Sequence, residues 1–299
     1  MSEPTLNYVT CPDATGGHRM ACWQWGRPEA GHVVVCVHGL SRQGRDFDTL
    51  AQALCERSGG SVRVVCPDVA GRGQSDWLRD PMGYQIPAYA ADMGVLLAQL
   101  QATTLDWVGT SMGGLIGLVL AGQPHLPFKL RKLVLNDVGP TISWQAIQRI
   151  GEYLGVPIRF TSVEQAAEAL RLISAGFGPH TPEQWLALTR PMLKPATDGS
   201  GGFALHYDPA IAIPFRRLTP ESSAQGEAVL WQLYDAVRAE TLLLRGADSD
   251  LFARETASAM TQRGPRARLV EFAGIGHAPT LVAADQVQTV CDFLPGAGS

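Results

Sequence analysis

Charge is scarce in this sequence: Asp, Glu, Lys and Arg make up 17% of 299 residues, the formal balance is −4, and no block of Lys or Arg occurs. Nucleic acid and anionic membrane surfaces therefore have no electrostatic footprint to meet. Cysteine is thinly scattered: Cys11, Cys22, Cys36, Cys55, Cys66 and Cys291 show no C-x-x-C spacing, so neither a zinc site nor a disulfide framework is indicated. No uncharged apolar run approaches the roughly 18 residues that span a bilayer. The opening Met1-Ser2-Glu3-Pro4 lacks the basic-then-apolar layout of a signal peptide. Internal repeats and low-complexity tracts are missing too. These absences lead to the expectation of a soluble cytoplasmic protein; they carry no signal for its oligomeric state.

What is present is core-forming material. Hydrophobic residues are 45% of the chain, enough for a large folded core. The length suits one large domain with an insertion as well as it suits two domains. Short apolar runs at 32–37, 62–66 and 105–108, rich in β-branched residues and closed by Gly or Pro, predict buried parallel strands, and 132–135 is another apolar strand leading into Asn136-Asp137-Val138-Gly139-Pro140. Helical spacing over 47–57 and 89–100 separates them, with Asp46 and Pro87 as start signals. Residues 7–10 and 19–25 alternate like an antiparallel edge hairpin, with Gly16-Gly17 near its turn.

From about 141 to 236 the pattern changes to short amphipathic helices, such as 163–173 and 182–193, with one short extended piece at 203–207. Strand-like runs return at 241–244 and 269–272, and 285–293 predicts a closing helix. The fold class predicted is α/β, a mostly parallel sheet flanked by helices. Residues 1–140 and 237–299 form its core and 141–236 a helical cap.

The strongest chemical signal is Gly109-Thr110-Ser111-Met112-Gly113-Gly114, set between the run 105–108 and a helical run at 115–121. A serine on a sharp strand-to-helix turn needs small residues two before and two after it, and Gly109 and Gly113 meet that need. The following helix aims its free N–H groups at developing negative charge.

With this motif in context the chain resembles the α/β-hydrolase superfamily, over nearly all its length apart from the cap, with a bacterial carboxylesterase-like site. Val37-His38-Gly39-Leu40 is similar to the family's H-G-x segment. The resemblance implies an oxyanion hole made by the N–H groups of Leu40 and Met112, with His38 a structural histidine. Pro67 to Asp76 resembles the family's D-x-x-G-x-G-x-S turn, a structural element to which no chemistry is assigned.

A serine nucleophile needs a base. His277, in the loop Phe272-Ala273-Gly274-Ile275-Gly276-His277 after the last predicted strand, has the context the family gives its base. The acid falls between serine and histidine in chain order. The common family pattern G-x-x-D, counted from Gly246, lands on Ser249 instead. A loop one residue longer favours Asp250, with Asp248 and Asp137 as alternatives.

The implied activity is cofactor-free hydrolysis of small to medium carboxylic esters through an acyl-enzyme. Thioesterase, lactonase and C–C bond hydrolase chemistry use the same residues, and a non-catalytic binding protein of this fold is a further alternative. Arg42, Trp144 and Tyr207 are candidate substrate contacts; for Trp144 and Tyr207, packing inside the cap is the competing assignment.

Overall fold

The computed structural model describes residues 3–294 except 198 and 200. Two N-terminal strands, β1 (Thr5–Cys11) and β2 (His18–Trp25), pair antiparallel. Gly16 and Gly17 turn the chain between them, both at positive φ. Then strands and helices alternate: β3 (His32–Val37), α1 (Asp48–Arg57), β4 (Val62–Pro67), α2 (Ile86–Gln99), β5 (Thr104–Thr110), α3 (Met112–Gly122) and β6 (Lys132–Asn136).

The next stretch holds α4 (Trp144–Tyr153), β7 (Arg159–Phe160), α5 (Val163–Ile173), α6 (Pro182–Thr189), β8 (Leu193–Pro195), β9 (Phe203–Leu205), α7 (Ala212–Phe215) and α8 (Pro220–Ala236). The chain closes with β10 (Glu240–Gly246), α9 (Arg254–Gln262), β11 (Arg268–Phe272) and α10 (Ala284–Phe293).

Eight strands form one sheet in the order β1-β2-β4-β3-β5-β6-β10-β11. β2 runs antiparallel to both its neighbours, and β4 through β11 run parallel. Every residue of β3 and β4 is buried, which explains runs without polar alternation: helices cover both faces. Successive side chains of β3 go to opposite sides. Val33, Val35 and Val37 join Met93 of α2, Ile116 of α3 and Tyr234 of α8. Val34 and Cys36 join Leu50 of α1 and Val290 of α10.

The stretch between β6 and β10 departs from an all-helical reading. β7, β9 and β8 form a small antiparallel sheet, with Arg159 opposite Ala204 and Leu193 opposite Leu205. The helix expected over 182–193 ends at Thr189 because Pro191 follows: proline supplies no amide for the ladder and disfavours helical backbone before it. Asp46 does not cap α1 either. It sits in a single 3-10 turn, and its carboxylate is taken by Arg42. None of the described helices is long and apolar enough to cross a membrane.

All parallel strands deliver their C-terminal ends to one edge of the sheet, the place where loops of such folds build sites. The ends of β3, β5, β6, β10 and β11 each bring a candidate residue there.

Candidate active site

Ser111 occupies the turn from β5 into α3 with φ 52° and ψ −116°, a backbone region that L-residues avoid. The turn is tight enough to dictate its neighbours. A Cβ on Gly113 would lie 2.0 Å from the Val37 carbonyl oxygen, and one on Gly109 would lie 2.3 Å from the Gly113 oxygen. The Ser111 amide donates to Asn136 O at 2.9 Å, which ties the turn to the end of β6.

His277 reaches this serine from the loop after β11. Its Nε2 lies 2.9 Å from Ser111 Oγ, and its Nδ1 lies 2.7 Å from Asp137 Oδ2. An ionised carboxylate only accepts, so Nδ1 carries the proton and Nε2 is left to accept from the serine hydroxyl. That is the tautomer a general base needs.

Asp137 follows β6 directly and is fully buried, at φ 55°. Its carboxylate accepts from Gly246 N at 2.8 Å and from the Ser249 hydroxyl at 2.7 Å as well as from His277. The residue placed against His277 is thus Asp137, the alternative, and not Asp250. The Asp250 side chain is 55% exposed and ion-paired with Arg149, whose guanidinium holds that carboxyl below the usual range. Asp248 is exposed as well.

The physical reason lies in the loop after β10. Where the common pattern puts a carboxylate, this chain has Ser249, and its hydroxyl points at the carboxylate supplied by the neighbouring strand. From sequence Ser249 marked only a departure from the family pattern and was given no site role, nor was Asn136, whose side-chain amide donates to Thr110 Oγ1 at 2.9 Å and to Pro279 O at 2.8 Å. The available signal was the pairing of a serine at 249 with an aspartate at the end of β6.

Leu40 sits in the turn after β3, and a Cβ on Gly39 would lie 3.7 Å from Ser111 Cβ. The carbonyl of the Gly39–Leu40 peptide accepts from Arg42 N at 3.1 Å and His38 Nδ1 at 2.7 Å. In a trans peptide N–H and C=O point oppositely, so these bonds turn the Leu40 N–H away from the His38 side. Met112 is the first residue of α3, where an amide has no preceding turn to bond. Among the described residues neither amide donates to a turn or loop carbonyl.

His38 takes part through its neutral form. Its Nε2 accepts from Val69 N at 2.9 Å, and complete burial pushes its pKa down to about 3. In the unfolded chain a histidine titrates near about 6.5, so from there down to about pH 3 the unfolded state binds a proton the folded state refuses. This stabilising contribution is whole above about pH 6.5 and shrinks on acidification by up to roughly 1.4 kcal/mol per pH unit. Calorimetric melting of wild type and His38→Asn from pH 7 to 4.5 should show a shallower acid slope in the variant. Parallel slopes would assign the acid loss to other groups.

Arg42, expected as a substrate contact, is engaged within the protein. It donates to Asp46 at 2.6 and 2.7 Å and to Leu188 O at 3.1 Å. Tyr207 is buried, with its hydroxyl accepting from Gly155 N at 3.1 Å, which matches packing rather than recognition. Trp144 opens α4 and is half-buried.

The segment after α5 rests on the histidine loop. Gly276 N donates to Gly176 O at 2.6 Å, and His180 Nε2 lies 2.7 Å from the Thr280 hydroxyl. A Cβ on Gly178 would lie 2.1 Å from Ile275 Cδ1.

Residues 34–289 match the model of the alpha/beta hydrolase family. The chain belongs to the α/β-hydrolase family. It is 51% identical over 298 residues to a 3-hydroxybutyrate-oligomer hydrolase of Cupriavidus necator, covering 99% of both chains. Among solved structures, an α/β hydrolase from Novosphingobium aromaticivorans superposes with a TM-score of 0.84 at 34% identity, covering 98% of each chain. A putative hydrolase from Rickettsia typhi gives the same TM-score at 26% identity, covering 97% of this chain and 98% of that one. Within the α/β-hydrolase family the chain is an ester hydrolase.

Proposed function

We propose that this protein hydrolyses short linear oligomers of 3-hydroxybutyrate, with Ser111 as nucleophile, His277 as base and Asp137 as the acid that orients it. One observation carries the substrate assignment: 51% identity over 298 residues to a 3-hydroxybutyrate-oligomer hydrolase, covering 99% of both chains. The hydrogen-bond chain Asp137–His277–Ser111 supports the assignment of roles.

In this mechanism Ser111 Oγ attacks the carbonyl carbon joining two hydroxybutyrate units while His277 Nε2 takes its proton. The oxyanion is met by the Leu40 and Met112 N–H groups. Collapse breaks the ester bond, and His277 returns the proton to the departing 3-hydroxyl oxygen of the next unit. Water, deprotonated by His277, attacks the acyl-enzyme carbonyl and releases the free acid with Ser111 regenerated. Asp137 stays ionised throughout, fixing the imidazole tautomer and favouring imidazolium.

Residues 141–236 are assigned as the cap over this site, supported by the contacts of the 175–180 segment with the histidine loop. The reducing cytoplasm is the proposed compartment: all six cysteines are free thiols, and five of them are buried.

The purified protein should release 3-hydroxybutyrate from its linear dimer and trimer, read by enzymatic or chromatographic assay of the monomer. Turnover of p-nitrophenyl butyrate with inert dimer and trimer would leave the ester hydrolase standing and remove the substrate assignment.

A further inference from the structure

Arg72 lies in the turn after β4, within the segment resembling D-x-x-G-x-G-x-S to which no chemistry is assigned. It is completely buried, the second largest of the fully enclosed side chains. A guanidinium stays protonated at any pH a protein survives, and buried charges are ordinarily matched by a carboxylate. Among the described residues none lies within ion-pair distance of Arg72: its partners are neutral. Nε donates to Leu40 O at 2.9 Å, and Nη1 donates to Ala70 O at 2.7 Å and to the Tyr89 hydroxyl at 2.8 Å. Nη2 lies 3.5 Å from Met112 Sδ. The guanidinium carbon stands 4.9 Å from the Tyr89 ring centroid and 5.8 Å from that of Tyr84.

Two of those partners are the residues whose amides face the developing oxyanion, and they come from different loops. We infer that Arg72 is a positioning residue of the oxyanion site, locking the Leu40 turn to the start of α3 and leaving its positive charge, which has no ion pair of its own, to favour the tetrahedral intermediate. The inference rests on the proposed roles of Ser111, Leu40 and Met112.

The geometry explains both halves. The Arg72–Leu40 bond fixes the peptide that follows Leu40, while His38 and Arg42 fix the one before it, so the Leu40 N–H is held from both sides. A cation enclosed by carbonyls and rings with no direct ion pair, the buried Asp208 carboxylate being bonded to the Tyr84 hydroxyl instead, is stabilised whenever negative charge forms nearby. In a water-poor surrounding that coupling is stronger than at a surface. It acts on the intermediate and not on the neutral ester, so it should appear in kcat and not in KM.

The test compares wild type with Arg72→Met, Arg72→Lys and Tyr89→Phe on p-nitrophenyl butyrate, with butaneboronic acid as a tetrahedral, negatively charged adduct of the serine. Arg72→Met should lower kcat by about 100- to 1000-fold, the range seen for loss of one oxyanion donor. KM should stay within about threefold, and boronate affinity should weaken in parallel with kcat. Arg72→Lys, which keeps the charge, should recover part of both. If Arg72→Met does not fold, Arg72→Lys and Tyr89→Phe carry the comparison, each expected to lower kcat and boronate affinity together by about three- to thirtyfold.

An unchanged kcat in the folded variants overturns the inference. A kcat loss without matching loss of boronate affinity overturns it as well. Ser111→Ala run alongside separates the two levels: retained turnover there would sink the assigned nucleophile itself, whatever Arg72 does.

Discussion

Asp137→Asn should lower kcat for ester hydrolysis by about three to four orders of magnitude, while Asp250→Asn stays within about threefold of wild type. The Asp137 carboxylate receives three donors: the Gly246 amide, the Ser249 hydroxyl and His277 Nδ1–H. Asparagine has one acceptor oxygen and a donor NH2, so a donor must face a donor unless the imidazole gives up its Nδ1 proton. Doing so moves the proton to Nε2, where it confronts the Ser111 hydroxyl and removes the base.

Asp250 holds a surface ion pair with Arg149, both side chains more than half exposed, and such pairs contribute about 0–1 kcal/mol. A further variant sharpens the comparison. Ser249 Oγ sits 2.7 Å from Asp137 Oδ2, so Asp137→Ser combined with Ser249→Asp moves the carboxylate to the other strand end without moving its point of action. At least tenfold recovery over Asp137→Asn is expected from steady-state kinetics. Equal losses in Asp137→Asn and Asp250→Asn would refute the assignment of the acid.

Ser111→Ala should reduce turnover by about 10⁵- to 10⁶-fold, since removal of the proposed nucleophile silences the hydrogen-bonded group as a unit. Ser111→Gly should be as inactive yet more stable. The backbone at φ 52° and ψ −116° costs any residue with a Cβ about 1–3 kcal/mol, whereas glycine adopts it freely. Glycine gives back about 0.5–1 kcal/mol through its looser unfolded chain, leaving Ser111→Gly roughly 1 kcal/mol more stable than Ser111→Ala by urea unfolding. If the alanine variant proved the more stable one, the turn would store no strain.

The central sheet was legible in the sequence because its strands are buried on both faces, so uninterrupted Val and Leu runs marked β3, β4, β5, β6 and β10 to within a residue or two. The strand-to-helix turn was legible because steric crowding at Gly109 and Gly113 leaves glycine as the residue that fits. The position of the buried carboxylate was not. It depends on where the ends of β6 and β10 converge, through hydrogen bonds spanning 109 and 112 residues of chain, and a loop count within one strand end cannot register that. The three-stranded sheet between α4 and α7 escaped for a different reason: its strands are two or three residues long, too short for a period of two to repeat. Arg72 was visible only as part of a structural turn, since what sets it apart is complete burial with neutral hydrogen-bond partners, a property of the folded interior.

The short chain 176–180 shares its bonding with the backbone that carries the imidazole: one amide to carbonyl link, one ring nitrogen to hydroxyl link, and one glycine against an isoleucine methyl. Any displacement of 176–180 must therefore either break these contacts or carry with it the 275–280 loop, in which His277 stands.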